Sequence, residues 1–149
     1  MTSPRTSPKA CPFCAIVAET APAHFVLSTD ACVAFLDTHP VFPGHVLLVP
    51  RVHRPTIADL APDEVTGLFT AAQSLCGAIE TALGAEGAFV ALNDRVSQSV
   101  PHVHVHVVPR RRGDGLRGFF WPRHSYASDA EAAAIAARIA AVLKSTSVP

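Results

Sequence analysis

The chain has 149 residues, 49% of them apolar and 16% charged, enough for one domain with a sizeable core. Twelve basic residues cancel twelve acidic ones, so no global field favours nucleic acid or an anionic membrane, and neither is expected as a partner. The apolar runs are far shorter than the ~18 residues of a spanning helix, MTSPRTSPKA has no signal-peptide core, and four cysteines do not make a secreted disulfide framework; a soluble, cytoplasmic protein with reduced thiols is expected.

Residues 1–10, rich in Ser, Thr and Pro, read as a disordered lead-in. After the CPFC segment come three strand-length apolar runs, HFVLS at 24–28, ACVAFLD at 31–37 and HVLLVP at 45–50. The Pro- and Gly-bearing loop HPVFPG at 39–44 lies between the last two. From Pro62 to Leu83 the period changes: Val65, Leu68, Phe69, Ala72, Leu75, Cys76, Ile79 and Leu83 follow helical spacing, and Gly84 can end the helix. Strand character returns at 88–93 and 102–109. A last helix is predicted from about Asp129 to Leu143, with Ser128 and Glu131 at capping-box spacing. About five short strands, one long central helix and a C-terminal helix predict an α+β domain with an antiparallel sheet. No repeat or linker divides it, so residues 11–145 read as a single domain whose C-terminal arm and helix occupy 111–145.

The segment PHVHVHVVPR at 101–110 sets three imidazoles on alternate residues. In a strand His102, His104 and His106 share one face, neighbours about 7 Å apart, and one bound group can touch two of them. A half-exposed strand whose polar positions happen to be histidine is a poor account of three in register, although a His-rich metal-binding tract is also open. Neutral imidazole is a good nucleophile near pH 7 and a better leaving group than an alkoxide. Attack on phosphorus would give a phosphoramidate that water resolves, with a second imidazole stabilising the phosphoryl oxygens. The pattern therefore points to phosphoryl or nucleotidyl transfer.

His102-Val103-His104-Val105-His106-Val107-Val108 resembles the signature of the histidine triad (HIT) superfamily, whose pattern alternates histidine with apolar residues. FLDTHPVFPGHVLLVPRVH from Phe35 to His53 is similar to the superfamily's upstream strand pair, and QSVPHVHVHVVPR from Gln98 to Arg110 to its active-site strand; the resemblance covers residues 11–110. It implies the HIT fold, a homodimer, and hydrolysis or transfer of a nucleotidyl group. His104 would be the nucleophile, His106 a phosphate contact, His45 a support for the histidine cluster, and Ser99 an aid to the leaving group beside Gln98. By the same resemblance Asp37 would bind the ribose and Asn93 the phosphate, while Phe13, Ile16 and Phe35 line the base pocket, for which ordinary core packing is the rival reading. A nucleoside phosphoramidase, a dinucleoside polyphosphate hydrolase or phosphorylase, and a non-catalytic nucleotide-binding module all stay open, with an adenosine-containing nucleotide as partner. One departure stands out: Ser97 occupies the usual glycine of the loop before Gln98, which unsettles the phosphate grip.

Cys11-Pro12-Phe13-Cys14 alone resembles a glutaredoxin active site. In the zinc-containing branch of the HIT superfamily the pair joins two histidines, which here are His53 and His102. That implies a structural, tetrahedral Cys2His2 zinc site. Cys32 and Cys76 sit on apolar patterns and read as core. Downstream, RRRGDGLRGFFWPRHSY carries Arg110, Arg111, Arg112, Arg117 and Arg123 around Phe119, Phe120 and Trp121. It reads either as a solvated basic turn or as an arm shaping specificity from a second subunit.

Overall fold

The computed structural model of the chain describes residues 10–117 and 123–145. Most of the lead-in, residues 1–9, and the arm's Phe119, Phe120 and Trp121 lie outside them. The chain divides at Asp114/Gly115 into two compact units.

The first unit holds a five-stranded antiparallel sheet of order β1-β2-β3-β5-β4, formed by β1 (Phe25–Ser28), β2 (Cys32–Leu36), β3 (Val46–Pro50), β4 (Gly87–Ala91) and β5 (Val105–Arg110). The long helix α2 (Pro62–Leu83) matches its periodicity. Pro62 sits at its first position, Glu64 accepts from the Ala61 N–H at 2.7 Å, and Gly84 leaves it at φ 62°, in the left-handed region. Leu68, Ala72, Leu75 and Ile79 pack against Ala34, Val46, Leu48, Val105 and Val107. The opposite sheet face carries Val33, Phe35, Leu47 and Val49, capped by Phe13 of a short helix α1 (Pro12–Val17). Strand β3 is therefore buried on both faces, which is why VLLVP shows no polar alternation.

Two differences from the sequence reading matter for function. Helix α1 is too short for a periodic signal; Pro12 starts it, and the Cys11 sulfur accepts from the Cys14 N–H at 3.5 Å. Strand β5 starts at Val105 rather than at residue 102, so His102 and His104 precede the ladder. The reason is a competition for main-chain groups. The His102 N–H turns back to Val100 O at 2.8 Å, the Val103 N–H goes to Arg54 O at 2.7 Å, and the His102 carbonyl takes the His104 ring.

In the second unit α3 (Asp129–Ser145) begins as its capping pattern requires. The Glu131 N–H donates to Ser128 Oγ at 3.1 Å, and the Glu131 carboxylate accepts from the Ala127 N–H at 2.7 Å. Among the described residues no helix is long and apolar enough to cross a membrane.

Candidate active site and metal centre

The sheet face opposite α2 opens into a cleft of ≈ 530 Å³. Its apolar floor is Phe13, Ile16, Phe35 and Leu47, and its polar side is Asp37, Ser99, His104 and His106. His106 enters from β5 opposite Leu47 of β3. His45 comes from the end of the β2–β3 loop, where Gly44 at φ 97° turns the chain; a side chain on Gly44 would collide with Leu83.

Hydrogen-bond partners determine the proton on each ring. The Val41 N–H donates to His45 Nδ1 at 3.1 Å, so neutral His45 carries its proton on Nε2. That Nε2–H donates to His106 Nδ1 at 2.9 Å, which leaves the His106 proton on Nε2. His104 Nδ1–H donates to the His102 carbonyl at 2.8 Å, leaving Nε2 with its lone pair. The His104 and His106 rings lie 5.1 Å apart, one offering a nucleophilic nitrogen and the other a hydrogen-bond donor. Burial lowers the pKa of His106 to about 4; the neighbouring His104 and His45 add to this and Asp37 opposes it. Burial also lowers that of His45 against the pull of Asp37, whose carboxylate lies 3.7 Å away. Both rings are thus neutral at pH 7. Asp37, His45 and His106 have donor atoms close enough to suggest a metal. With Nδ1 of His45 already an acceptor and its Nε2 protonated, they form a hydrogen-bond relay instead.

A second cluster meets behind Phe13. The donor atoms of Cys11, Cys14, His53 and His102 all lie within 4.8 Å of one another. Cys11 Sγ and Cys14 Sγ are 3.4 and 3.6 Å from His102 Nδ1, and Cys14 Sγ is 3.3 Å from His53 Nδ1. Ligand edges in a tetrahedral Zn–S2N2 site are roughly 3.3–3.8 Å, given bonds of about 2.3 and 2.0 Å. The tautomer fits too, because His102 Nε2–H donates to Pro50 O at 2.9 Å and leaves Nδ1 as a ligand atom. Without a cation, burial and then Cys11 push the Cys14 thiol up, and a divalent ion would reverse that. The helix that a glutaredoxin needs after its motif is present as α1, yet both thiols face imidazoles.

The HIT domain family matches residues 18–113. The chain belongs to this family. Among its relatives, the asymmetrical bis(5'-nucleosyl)-tetraphosphatase of Schizosaccharomyces pombe is 40% identical over 88 residues, 58% of this chain and 48% of that protein. Adenylylsulfatase HINT3 of Arabidopsis thaliana is 31% identical over 129 residues, 82% of this chain and 64% of that one. The chain thus spans about half to two thirds of these two relatives. A zinc-bound histidine triad family protein from Mycobacterium smegmatis has the same fold, with TM-score 0.70 and 35% identity over 89% of this chain and 97% of that one.

In this HIT protein Phe13, Ile16, Phe35, Asp37, Ser99, His104 and His106 line one cleft, with His45 directly behind His106. Two expected nucleotide contacts are turned to other work. Gln98 donates to Pro55 O at 2.8 Å and accepts from the Arg95 N–H at 3.2 Å, clasping two loops. Asn93 donates to Ser97 O at 3.2 Å and so braces its own loop. Ser97, at the position of the family's glycine, has φ 59° and performs the glycine's turn with a side chain. Sequence reading did not assign His24, Thr38 and Leu47 to the cleft, which they also line; patterning marks their segments but not which side chains meet there. Cys32 is buried in the core, and burial, then Glu80, raises the thiol of half-buried Cys76.

Proposed function

We propose that this HIT protein is a nucleotidyl hydrolase or transferase that works through a covalent nucleotidyl-His104 intermediate, with nucleoside phosphoramidates or related nucleotidyl bonds as substrates. The observation that carries the reading is the pairing of a bare His104 Nε2 with a protonated His106 Nε2 at one end of an apolar slot. A base, best an adenine, would lie over Phe13, Ile16 and Phe35, and Asp37 would take the ribose hydroxyls.

His104 Nε2 attacks the α-phosphorus, forming a P–N bond as the bond to the leaving group breaks. Positive charge grows on the ring, and the His102 carbonyl, already accepting its Nδ1–H, stabilises it. His106 Nε2–H holds a non-bridging oxygen, while the Ser99 hydroxyl supports the departing group and passes it a proton, which the attacking water returns to Ser99 in the second step. Water then attacks the same phosphorus, the P–N bond breaks, and the nucleoside monophosphate leaves with His104 restored. Gln98 and Asn93 are not among the residues that line the cleft; they hold their loops beside it.

Zinc on Cys11, Cys14, His53 and His102 is part of the proposal as a structural ion; it would cross-link α1, the segment after β3 and the segment before β5. A homodimer is proposed as well, since β1 and β4 are sheet edges and Val90 on β4 is exposed. The identity to a tetraphosphatase favours dinucleoside polyphosphates as the second substrate reading. Release of adenosine monophosphate from adenosine phosphoramidate and from diadenosine tetraphosphate, for wild type and His104→Ala, tests both. The expected result is release by wild type only, with a protein-bound nucleotide trapped by rapid quench, and the faster substrate chooses the branch. Tight binding of adenosine monophosphate with no release from either would make the chain a binding module.

A further inference from the structure

We propose that the Cys11–Cys14 turn, whose two thiols do not line the cleft, is a positioning element for the nucleophile and sets which nitrogen of His104 is bare. The proposal rests on His104 as the reacting residue.

The first link is His102. Its ring is fully buried, 0% exposed, and is fastened at Nε2 to Pro50 O and at Nδ1 against both thiols. Because β5 starts at Val105, the His102 carbonyl is outside the ladder, and its partner is His104 Nδ1–H. The ring that the cysteines hold and the carbonyl that orients the nucleophile therefore belong to one residue, with the main chain on its N-terminal side bent back to Val100. A shift of the ring moves the carbonyl with it.

The second link is Phe13, which lies between the two cysteines and is carried by the same turn. Its ring meets His102 edge-on at 6.0 Å, His104 at 5.1 Å and Phe35 at 5.6 Å. It packs edge-on against the His104 imidazole and limits rotation of the ring. If the turn loosens, both restraints on His104 relax together. The ring can then turn, or carry its proton on Nε2, and neither form can attack.

The test is the tautomer of His104 in folded, zinc-supplied protein. Long-range proton–nitrogen spectra of 15N-histidine protein, with the His104 signals identified by their loss in His104→Ala, report it directly. Wild type should show Nδ1 protonated and Nε2 bare. In Cys14→Ala, which removes the sulfur that touches both histidines, the two nitrogens should shift toward each other as the tautomers mix. The rate of nucleotidyl-protein formation should fall about 10²-fold, the scale of an ångström-sized misplacement. His53→Ala is the second variant: His53 is exposed, so its loss opens the cluster without excavating the core. It should shift the same signals in the same direction. An unchanged His104 tautomer in the folded variants overturns the proposal. Should wild type form no nucleotidyl-protein, the hydrolase reading fails alone, and the spectra still decide whether the turn sets the tautomer.

Discussion

His104 and His106 are chemically the same side chain, two residues apart, and they present opposite faces of imidazole chemistry to the cleft. The difference is made by what stands behind each: a carbonyl oxygen behind His104, the Nε2–H of a neutral ring behind His106. Low-pKa His106 also leaves a mark on stability. Its folded pKa of about 4 lies below the ordinary value of 6.5, so between those values the unfolded chain binds more protons. Stability should fall as pH drops from about 6.5 toward about 4, and His45, lowered in the same sense, adds to the slope. Urea midpoints across this window check it; His106→Asn should flatten the dependence. Gly44 is the residue on which the His45 placement turns. Gly44→Ala should destabilise by about 1–3 kcal/mol through a strained φ and the Leu83 clash, and should weaken the His45–His106 relay. Ser97 predicts the reverse: Ser97→Gly should relieve a left-handed φ and raise stability by about 1 kcal/mol in urea titrations.

At the scale of elements, α2 was legible because eight apolar residues repeat at helical spacing between a proline and a glycine, signals that are local and redundant. Its buried Leu75, on the sheet-facing stripe, is a plain test: Leu75→Ala should cost about 2–5 kcal/mol by chemical denaturation. Strand β5 shows the opposite. Alternation predicted a strand from residue 102, yet the main-chain groups of 102–103 are taken by Arg54, Val100 and the His104 side chain. Period-2 patterning tells which face a side chain takes; it does not tell which partner a backbone group finds. Helix α1 escaped because six residues are too few for a periodic signal. Its proline and cysteine cap are the only local marks.

At the scale of the molecule, the cluster of Cys11, Cys14, His53 and His102 ties together segments up to 91 positions apart. Zinc at about a thousand times its dissociation constant would add ~4 kcal/mol, or about 10 °C in melting temperature, through binding to the folded state alone. Chelation should remove that increment, and calorimetry with and without a strong chelator checks it. Light scattering should return twice the chain mass for the proposed homodimer. From the sequence alone came the fold class, the HIT resemblance, the central helix and the identity of the triad. The fold class and the helix follow from periodicity, the triad from residue type and spacing, and the resemblance from the match of the quoted motifs. The tertiary structure decided the rest: that Gln98 and Asn93 clasp loops, that the His102 carbonyl orients His104, and that Phe13 serves the cleft and the nucleophile together. A hydrogen-bonding group takes its function from the partner that folding brings to it, and for Gln98, His106 and Cys11 those partners lie 43, 61 and 91 positions away in the chain.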